Sequence, residues 1–330
     1  MKHNDKIGVL LVNLGTPEGT DFRNMRVYLK EFLSDKRVIE WSRLFWYPIL
    51  YGIVLNIRPK KSGKLYERIW NYEKNESPLR TYTRAQSDAL QKRFGDTIMV
   101  DWAMRYGTPS IKEVSDRMID AGCKRLLVFP LYPQYSATTT ATVCDALFDA
   151  LKQRRYIPAL RTVPAYANDP VYIDALACSI EQHLKTLSFK PEVILASFHG
   201  IPKSYFERGD PYYNECLETT HALRKRLQLD EQTLRMTFQS RFGPEEWLQP
   251  YTDKTIEELA KEGISSIAVL NPGFVSDCLE TVDEIGHEAA ETFLENGGKN
   301  FSHIPCLNDS ELGMKVIEHL VRQELEGWQA

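Results

Sequence analysis

The chain lacks several features that would class it quickly. Its six cysteines, at 123, 144, 178, 216, 278 and 306, include no CxxC pair, so no zinc ribbon or disulfide framework is spelled out. Free thiols in a reducing compartment are the simplest account. After the first apolar run stands Gly15-Thr16-Pro17-Glu18-Gly19, which has neither the spaced glycines of a dinucleotide fingerprint nor the Lys-Ser/Thr of a phosphate loop, and this leaves nucleotide binding weakly supported. A large excess of one charge is missing too. A net charge of −4 and a pI near 6.0 provide no general electrostatic footprint for nucleic acid, and no nucleic-acid partner is expected. No apolar run is long enough to span a bilayer, the longest, Leu44 to Ile57, being broken by Pro48. The polar start at Met1–Lys6 leads into Ile7–Leu14 with no small-residue cleavage site, so this run reads as a strand, not a signal peptide, and the cytoplasm is the expected compartment.

What the chain does have is alternation. Its 330 residues allow one large or two ordinary domains with ample core. Patterning predicts strands at 7–13, 97–104, 125–129, 192–198, 234–240, 265–270 and 300–304. Helical patterns lie at 84–94, 111–121, 139–153, 172–187, 213–227, 255–262, 277–294 and 311–326. Strands alternating with helices imply parallel sheets flanked by helices, an α/β class. An internal echo refines this: Ala103-Met104-Arg105-Tyr106-Gly107-Thr108-Pro109 matches Gln239-Ser240-Arg241-Phe242-Gly243-Pro244, and Val9 to Pro17 parallels Ile194 to Pro202. Two homologous α/β lobes are the simplest account, an amino-terminal one over 1–165 and a carboxy-terminal one over 166–310 carrying His199 and Glu280. The last helix, 311–330, is a candidate to pack back on the first lobe. Lobes of this kind bind ligands in the cleft between facing strand ends, where the active site is expected.

Two stretches carry chemistry. Pro272-Gly273-Phe274-Val275-Ser276-Asp277-Cys278-Leu279-Glu280-Thr281 leads into a helical pattern with Glu280, Glu284 and Glu288 on one face. Like charges four apart each cost an isolated helix about 0.2–0.5 kcal/mol, so the ladder suggests a task such as moving cations or protons. A plainer account covers part of it: Asp277 and Glu280 fit an Asp-x-x-Glu capping box at a helix start, which would leave Glu284 and Glu288 as a solvated acidic face. The second stretch, Val193 to Pro202, is a buried strand ending in His199 just where Gly200-Ile201-Pro202 turns the chain. A lone histidine at a strand end is more often structural, yet strand ends are where parallel sheets place their chemistry.

Other features are more ambiguous. Cys278 has no partner spacing and reads as a small buried hydrophobe. The loop Tyr132 to Thr140 concentrates hydroxyls suited to capping a helix or contacting anions. The aromatic and aliphatic run Leu44–Ile57, followed by Arg58, Lys60, Lys61 and Lys64, suits an interfacial contact or the lip of a pocket for a flat anionic ligand, or else an ordinary core-facing helix with a solvated tail.

Taken together, Leu11-Val12-Asn13-Leu14-Gly15-Thr16-Pro17, Arg105-Tyr106-Gly107, Tyr132-Pro133-Gln134-Tyr135-Ser136, Ser197 to Pro202 with Arg208-Gly209-Asp210-Pro211-Tyr212, Gln239 to Pro244 and Phe274 to Thr281 resemble the ferrochelatases, most closely the bacterial, Gram-negative members. The resemblance covers nearly the whole chain. It implies a bilobal chelatase-like fold of two Rossmann-like lobes and insertion of Fe2+ into protoporphyrin IX as the last step of heme synthesis, with no permanently bound cofactor and iron as substrate. It places His199 and Glu280 at the metal, and Asp277, Glu284 and Glu288 on a proton or metal path along a helix widened by π-type turns. Leu14, Arg105, Tyr106, Tyr135, Ser136 and Trp247 would contact porphyrin, and the 44–57 lip would touch the macrocycle or a membrane surface. Two departures stand out. Animal members carry histidine where this chain has Cys278, and some members hold an iron–sulfur cluster with carboxy-terminal cysteines, whereas no cysteine follows Cys306 here, so no cluster is expected. A coproporphyrin or cobalt chelatase of the same fold is the nearest alternative, followed by a bilobal metal- or porphyrin-binding protein without catalysis.

Overall fold

In the computed structural model, which describes residues 6–328, the chain builds two four-stranded sheets. The first contains β1 (Lys6–Gly15), β2 (Ile98–Tyr106), β3 (Cys123–Pro130) and β4 (Ala159–Thr162) in the order β2-β1-β3-β4. The second contains β5 (Val193–His199), β6 (Leu234–Gln239), β7 (Ser266–Leu270) and β8 (Asn300–Ile304) in the order β6-β5-β7-β8. Every pairing is parallel. The sequence echo is thus a repeat of topology. Leu14 and His199 stand at matching ends of β1 and β5, each an inner strand of its sheet.

The reason these runs form parallel strands is their continuity. Val9, Leu10, Leu11 and Val12 are all fully buried, as are Leu195, Ala196 and Phe198, which marks strands covered on both faces by crossover helices. In the second sheet Leu195, Ile267 and Val269 pack against Ile285, Ala289 and Phe293, which lie on a π-helix over Glu280–Ala289 and the α-helix Ala290–Glu295 that continues it.

The chain divides into two compact units. One runs to Leu131, takes in Ala137–Pro164 and resumes at Ile317; the other comprises Tyr132–Ser136 and Ala165–Val316. The short segment Tyr132–Ser136 joins the second unit through its polar contacts. Gln134 donates to Thr219 Oγ1 at 2.9 Å, the Tyr135 N–H to Glu215 at 2.6 Å and Ser136 Oγ to Asp210 at 2.9 Å. At the end of the chain, Glu318 on the helix Glu311–Glu324 pairs with Arg93 at 2.8 Å within the first unit.

Three elements were not anticipated by pattern: the helix Phe22–Ser34, capped by Asp21, the edge strand β4, and the helix Lys203–Glu207. The run Leu44–Ile57 is helical, within Arg43–Ile49, a π segment Leu50–Val54 and Leu55–Ile69. The widening follows Pro48, which supplies no N–H and crowds the preceding turn. This helix buries Trp46, Leu50, Val54 and Leu55 yet leaves Leu44, Phe45, Ile53 and Ile57 exposed, so it is more than an ordinary core-facing helix.

Candidate active site

Within the carboxy-terminal unit, four of the candidate residues, His199, Trp247, Glu280 and Glu284, meet around the ends of β5 and β6. His199 closes β5, and its Nδ1 lies 2.6 Å from the Gly200 carbonyl oxygen. A carbonyl only accepts, so Nδ1 carries a proton, and in its neutral form the ring keeps its lone pair on Nε2. The Phe274 ring stands 6.5 Å away. Gly200 is needed where it is. A Cβ there would come within 2.9 Å of the Gln239 carbonyl oxygen and 3.1 Å of the Trp247 ring, and Trp247 is itself held by its indole N–H donating to the Phe242 carbonyl at 2.8 Å. Trp247 is therefore brought beside the His199–Gly200 turn.

Across the β5–β6 ladder His199 is paired with Gln239. The Gln239 amide nitrogen donates to the Glu280 carbonyl at 2.8 Å and to Glu284 Oε2 at 3.2 Å. The next residue, Ser240, donates its backbone N–H to Glu284 Oε1 at 2.7 Å and its hydroxyl to Oε2. Burial pushes the Glu284 carboxyl above its ordinary range, while the Ser240 hydrogen bond and, whenever its ring is protonated, His199 pull it back. Gln239 and Ser240 had been noted only as part of a repeated motif. Their strand-end position next to His199 was the signal for a role.

The ladder runs outward along the π-helix: Glu280 and Glu284 are half-buried and Glu288 is exposed. The three do not converge, and among the described residues no group of three or more His, Cys, Asp or Glu side chains is disposed to hold a metal ion. Asp277 departs from the capping-box reading. The helix begins at Leu279, and the buried Asp277 carboxylate instead accepts from Asn308 Nδ2 at 2.7 Å, Thr281 Oγ1 at 2.8 Å and the Cys306 N–H at 3.3 Å. It pins the loop that launches the helix. Burial, with the Glu280 charge and a hydrogen bond to Glu280, pushes the Cys278 thiol well above its ordinary range, so Cys278 is a neutral thiol rather than a thiolate ligand. In the Tyr132–Ser136 segment the Ser136 hydroxyl is buried against Asp210, and the Tyr135 side chain is half-buried.

The amino-terminal unit holds the remaining candidates. Leu14 is half-buried at the end of β1. Gly15 follows with φ +128°, and a Cβ there would fall 1.9 Å from the Tyr106 carbonyl oxygen, so only glycine lets β1 and β2 approach. Arg105 pairs with Asp35, and its guanidinium lies 4.3 Å from the centre of the Tyr106 ring. Tyr106 is fully buried and donates its hydroxyl to Asp35 at 3.0 Å. Burial pushes that phenol far up and keeps it a neutral donor, so Tyr106 supports Arg105 from behind. Asp35, the shared acceptor, carried no signal in the sequence because it is one charged residue among several, with Glu31, Lys36, Arg37 and Glu40 close by.

With this geometry in place, comparison with known proteins is specific. The family model for ferrochelatase matches residues 6–325. The ferrochelatase of Brucella ovis is 72% identical over 325 residues, covering 98% of this chain and 92% of that protein, and the ferrochelatase of Brucella abortus strain S19 is 71% identical over the same lengths. Among solved structures, the SirB protein of Bacillus subtilis with Fe3+ superposes with a TM-score of 0.58 at 11% identity, covering 98% of both chains. The sirohydrochlorin chelatase SirB of a Bacillus subtilis subspecies in complex with cobalt gives 0.57 at 11% identity, covering 98% of this chain and 96% of that one. These two speak for the fold alone, a chelatase-type pair of parallel α/β units. On its family match and on its identity to the Brucella enzymes, the chain belongs to the ferrochelatase family.

Proposed function

We propose that the protein inserts ferrous iron into protoporphyrin IX, releasing two protons, with His199 at the centre of the chemistry. Ferrochelatase activity, a lyase reaction of heme synthesis, follows from family membership. The choice of porphyrin and the residue roles are the proposal. One observation carries it: His199 spends its Nδ1–H on the Gly200 carbonyl, which leaves Nε2 as the ring's open acceptor, and the neighbouring strand grips a carboxylate of the π-helix.

Metallation needs two pyrrole N–H protons removed and a hydrated dication stripped of water. A flat macrocycle presents its nitrogens poorly, so bending it helps, at a cost of about 1–5 kcal/mol drawn from binding of the rest of the ligand. His199 Nε2 accepts a pyrrole proton, a step typically worth about 10²–10⁴ in rate. Glu280 faces the incoming iron or the outgoing proton, and Glu284 and Glu288 continue the path towards solvent. Arg105 commits one terminal nitrogen to Asp35, and its other terminal nitrogen is the group that pairs with a porphyrin propionate. Exposed Leu44, Phe45, Ile49, Ile53 and Ile57 offer apolar surface that suits vinyl groups better than extra carboxylates.

Oxygen and nitrogen donors accept borderline dications without sharp selection. Zinc and cobalt(II) should therefore be inserted into protoporphyrin IX by the purified protein, read from metalloporphyrin absorbance. Failure with both contradicts a site of this kind. Among the described residues no helix is long and apolar enough to cross a membrane. The same apolar face, with exposed Lys60, Lys61 and Lys64 beyond it, supports peripheral attachment to an anionic lipid surface. Cosedimentation with anionic vesicles that is lost in Leu44→Ser/Phe45→Ser is the expected result, and no binding by the parent protein would refute it.

A further inference from the structure

Behind the carboxylate path, the carboxy-terminal unit contains two polar side chains that none of the steps above employs, Asn271 and His303, and both connect to Gln239. We infer that His303, Asn271 and Gln239 form a hydrogen-bond chain of one polarity that positions Glu284 for the reaction. The inference rests on the reading of Glu284 as part of the metal or proton path.

The polarity is fixed from the carbonyls. The Glu280 carbonyl oxygen can only accept, so the Gln239 amide nitrogen must face it and Glu284. Gln239 Oε1 then accepts, from Ser197 Oγ at 2.8 Å and from Asn271 Nδ2 at 2.7 Å. Asn271 Nδ2 also donates to the Ser197 carbonyl at 3.2 Å, which holds that amide the same way round. Asn271 Oδ1 is left to accept from His303 Nε2 at 3.1 Å, so this ring nitrogen carries a proton. Every hydrogen in the chain points towards the π-helix at Glu284.

The path also closes on itself. A Cβ at Gly286 would sit 3.6 Å from His303 Nδ1, so the imidazole packs on the same π-helix two residues beyond Glu284. Gln239 and Asn271 are 5% and 3% exposed, and buried amides with every partner satisfied admit one arrangement. The chain draws on the ends of β5, β6 and β7 and on β8, so the sheet as a whole fixes where the Glu284 carboxylate sits. His303, Asn271 and Gln239 are positioning residues, acting through Glu284.

The test is a double-mutant cycle on zinc insertion. Asn271→Leu and Glu284→Gln should each lower kcat by about two- to tenfold, the range for one lost buried hydrogen bond, with the KM for porphyrin unchanged. In the Glu284→Gln background Asn271→Leu should add no further loss. His303→Leu should behave like Asn271→Leu and is read in its place if that variant does not fold, and His303→Gln, which keeps a side-chain N–H, should recover most of the loss. Additive losses, or a silent Asn271→Leu or His303→Leu beside an impaired Glu284→Gln, overturn the positioning chain. A silent Glu284→Gln overturns the carboxylate path itself and the chain with it.

Discussion

Ser240 holds Glu284 with two donors, its backbone N–H and its hydroxyl, and does so from a left-handed backbone conformation with φ 66°. A side chain in that region costs about 1–2 kcal/mol relative to right-handed backbone, a cost that glycine escapes. Both Ser240→Gly and Ser240→Ala remove the hydroxyl, and both keep the N–H. The glycine variant should therefore be more stable than the alanine variant by about 1 kcal/mol in urea unfolding. Equal stabilities would show that the turn is not held in this conformation in solution.

Replacing His199 removes the open Nε2 acceptor at the end of β5 without touching the strand ladder. His199→Ala should lower metal insertion by about 10²–10⁴, while fluorescence titration with protoporphyrin IX shows binding largely intact. Turnover near that of the parent protein would sink the assignment of His199 as proton acceptor.

The pairing of Glu318 with Arg93 makes a pH signature. The Arg93 hydrogen bond holds the Glu318 carboxyl below its ordinary range. A depressed acid contributes stability that is complete above its unfolded value, about pH 4.3 for glutamate, and is lost as pH falls through the lower folded value. Acid-induced unfolding followed by circular dichroism should thus show Glu318→Gln less stable than the parent protein at neutral pH, with the two curves converging below about pH 4. A gap that persists unchanged into strong acid would mean that the ion pair is not its source.

The strands that were legible in the sequence are those buried on both faces. β1 and β5 are continuous apolar runs, and a run of that kind has few other places to go. β4, Ala159-Leu160-Arg161-Thr162, escaped notice because an edge strand pairs along one side only and none of its residues is buried. The helix Phe22–Ser34 did leave a trace in its Asp21 cap and the spacing of Met25, Tyr28, Leu29 and Leu33, but its charged residues diluted the apolar period. At the site, His199 and the carboxylate ladder stood out as residue types in a pattern. Gln239, Asn271 and His303 did not, because a hydrogen-bond chain across several strands is written in register and side-chain direction, and neither is visible until the sheet order is known.

The most direct test of the central claim is anaerobic turnover of the purified protein with ferrous iron, offering protoporphyrin IX and coproporphyrin III separately and following metalloporphyrin absorbance. Faster insertion into protoporphyrin IX, lost in His199→Ala, is the predicted result. Preference for coproporphyrin III would contradict the proposed substrate, and insertion that persists without His199 would contradict the proposed chemistry.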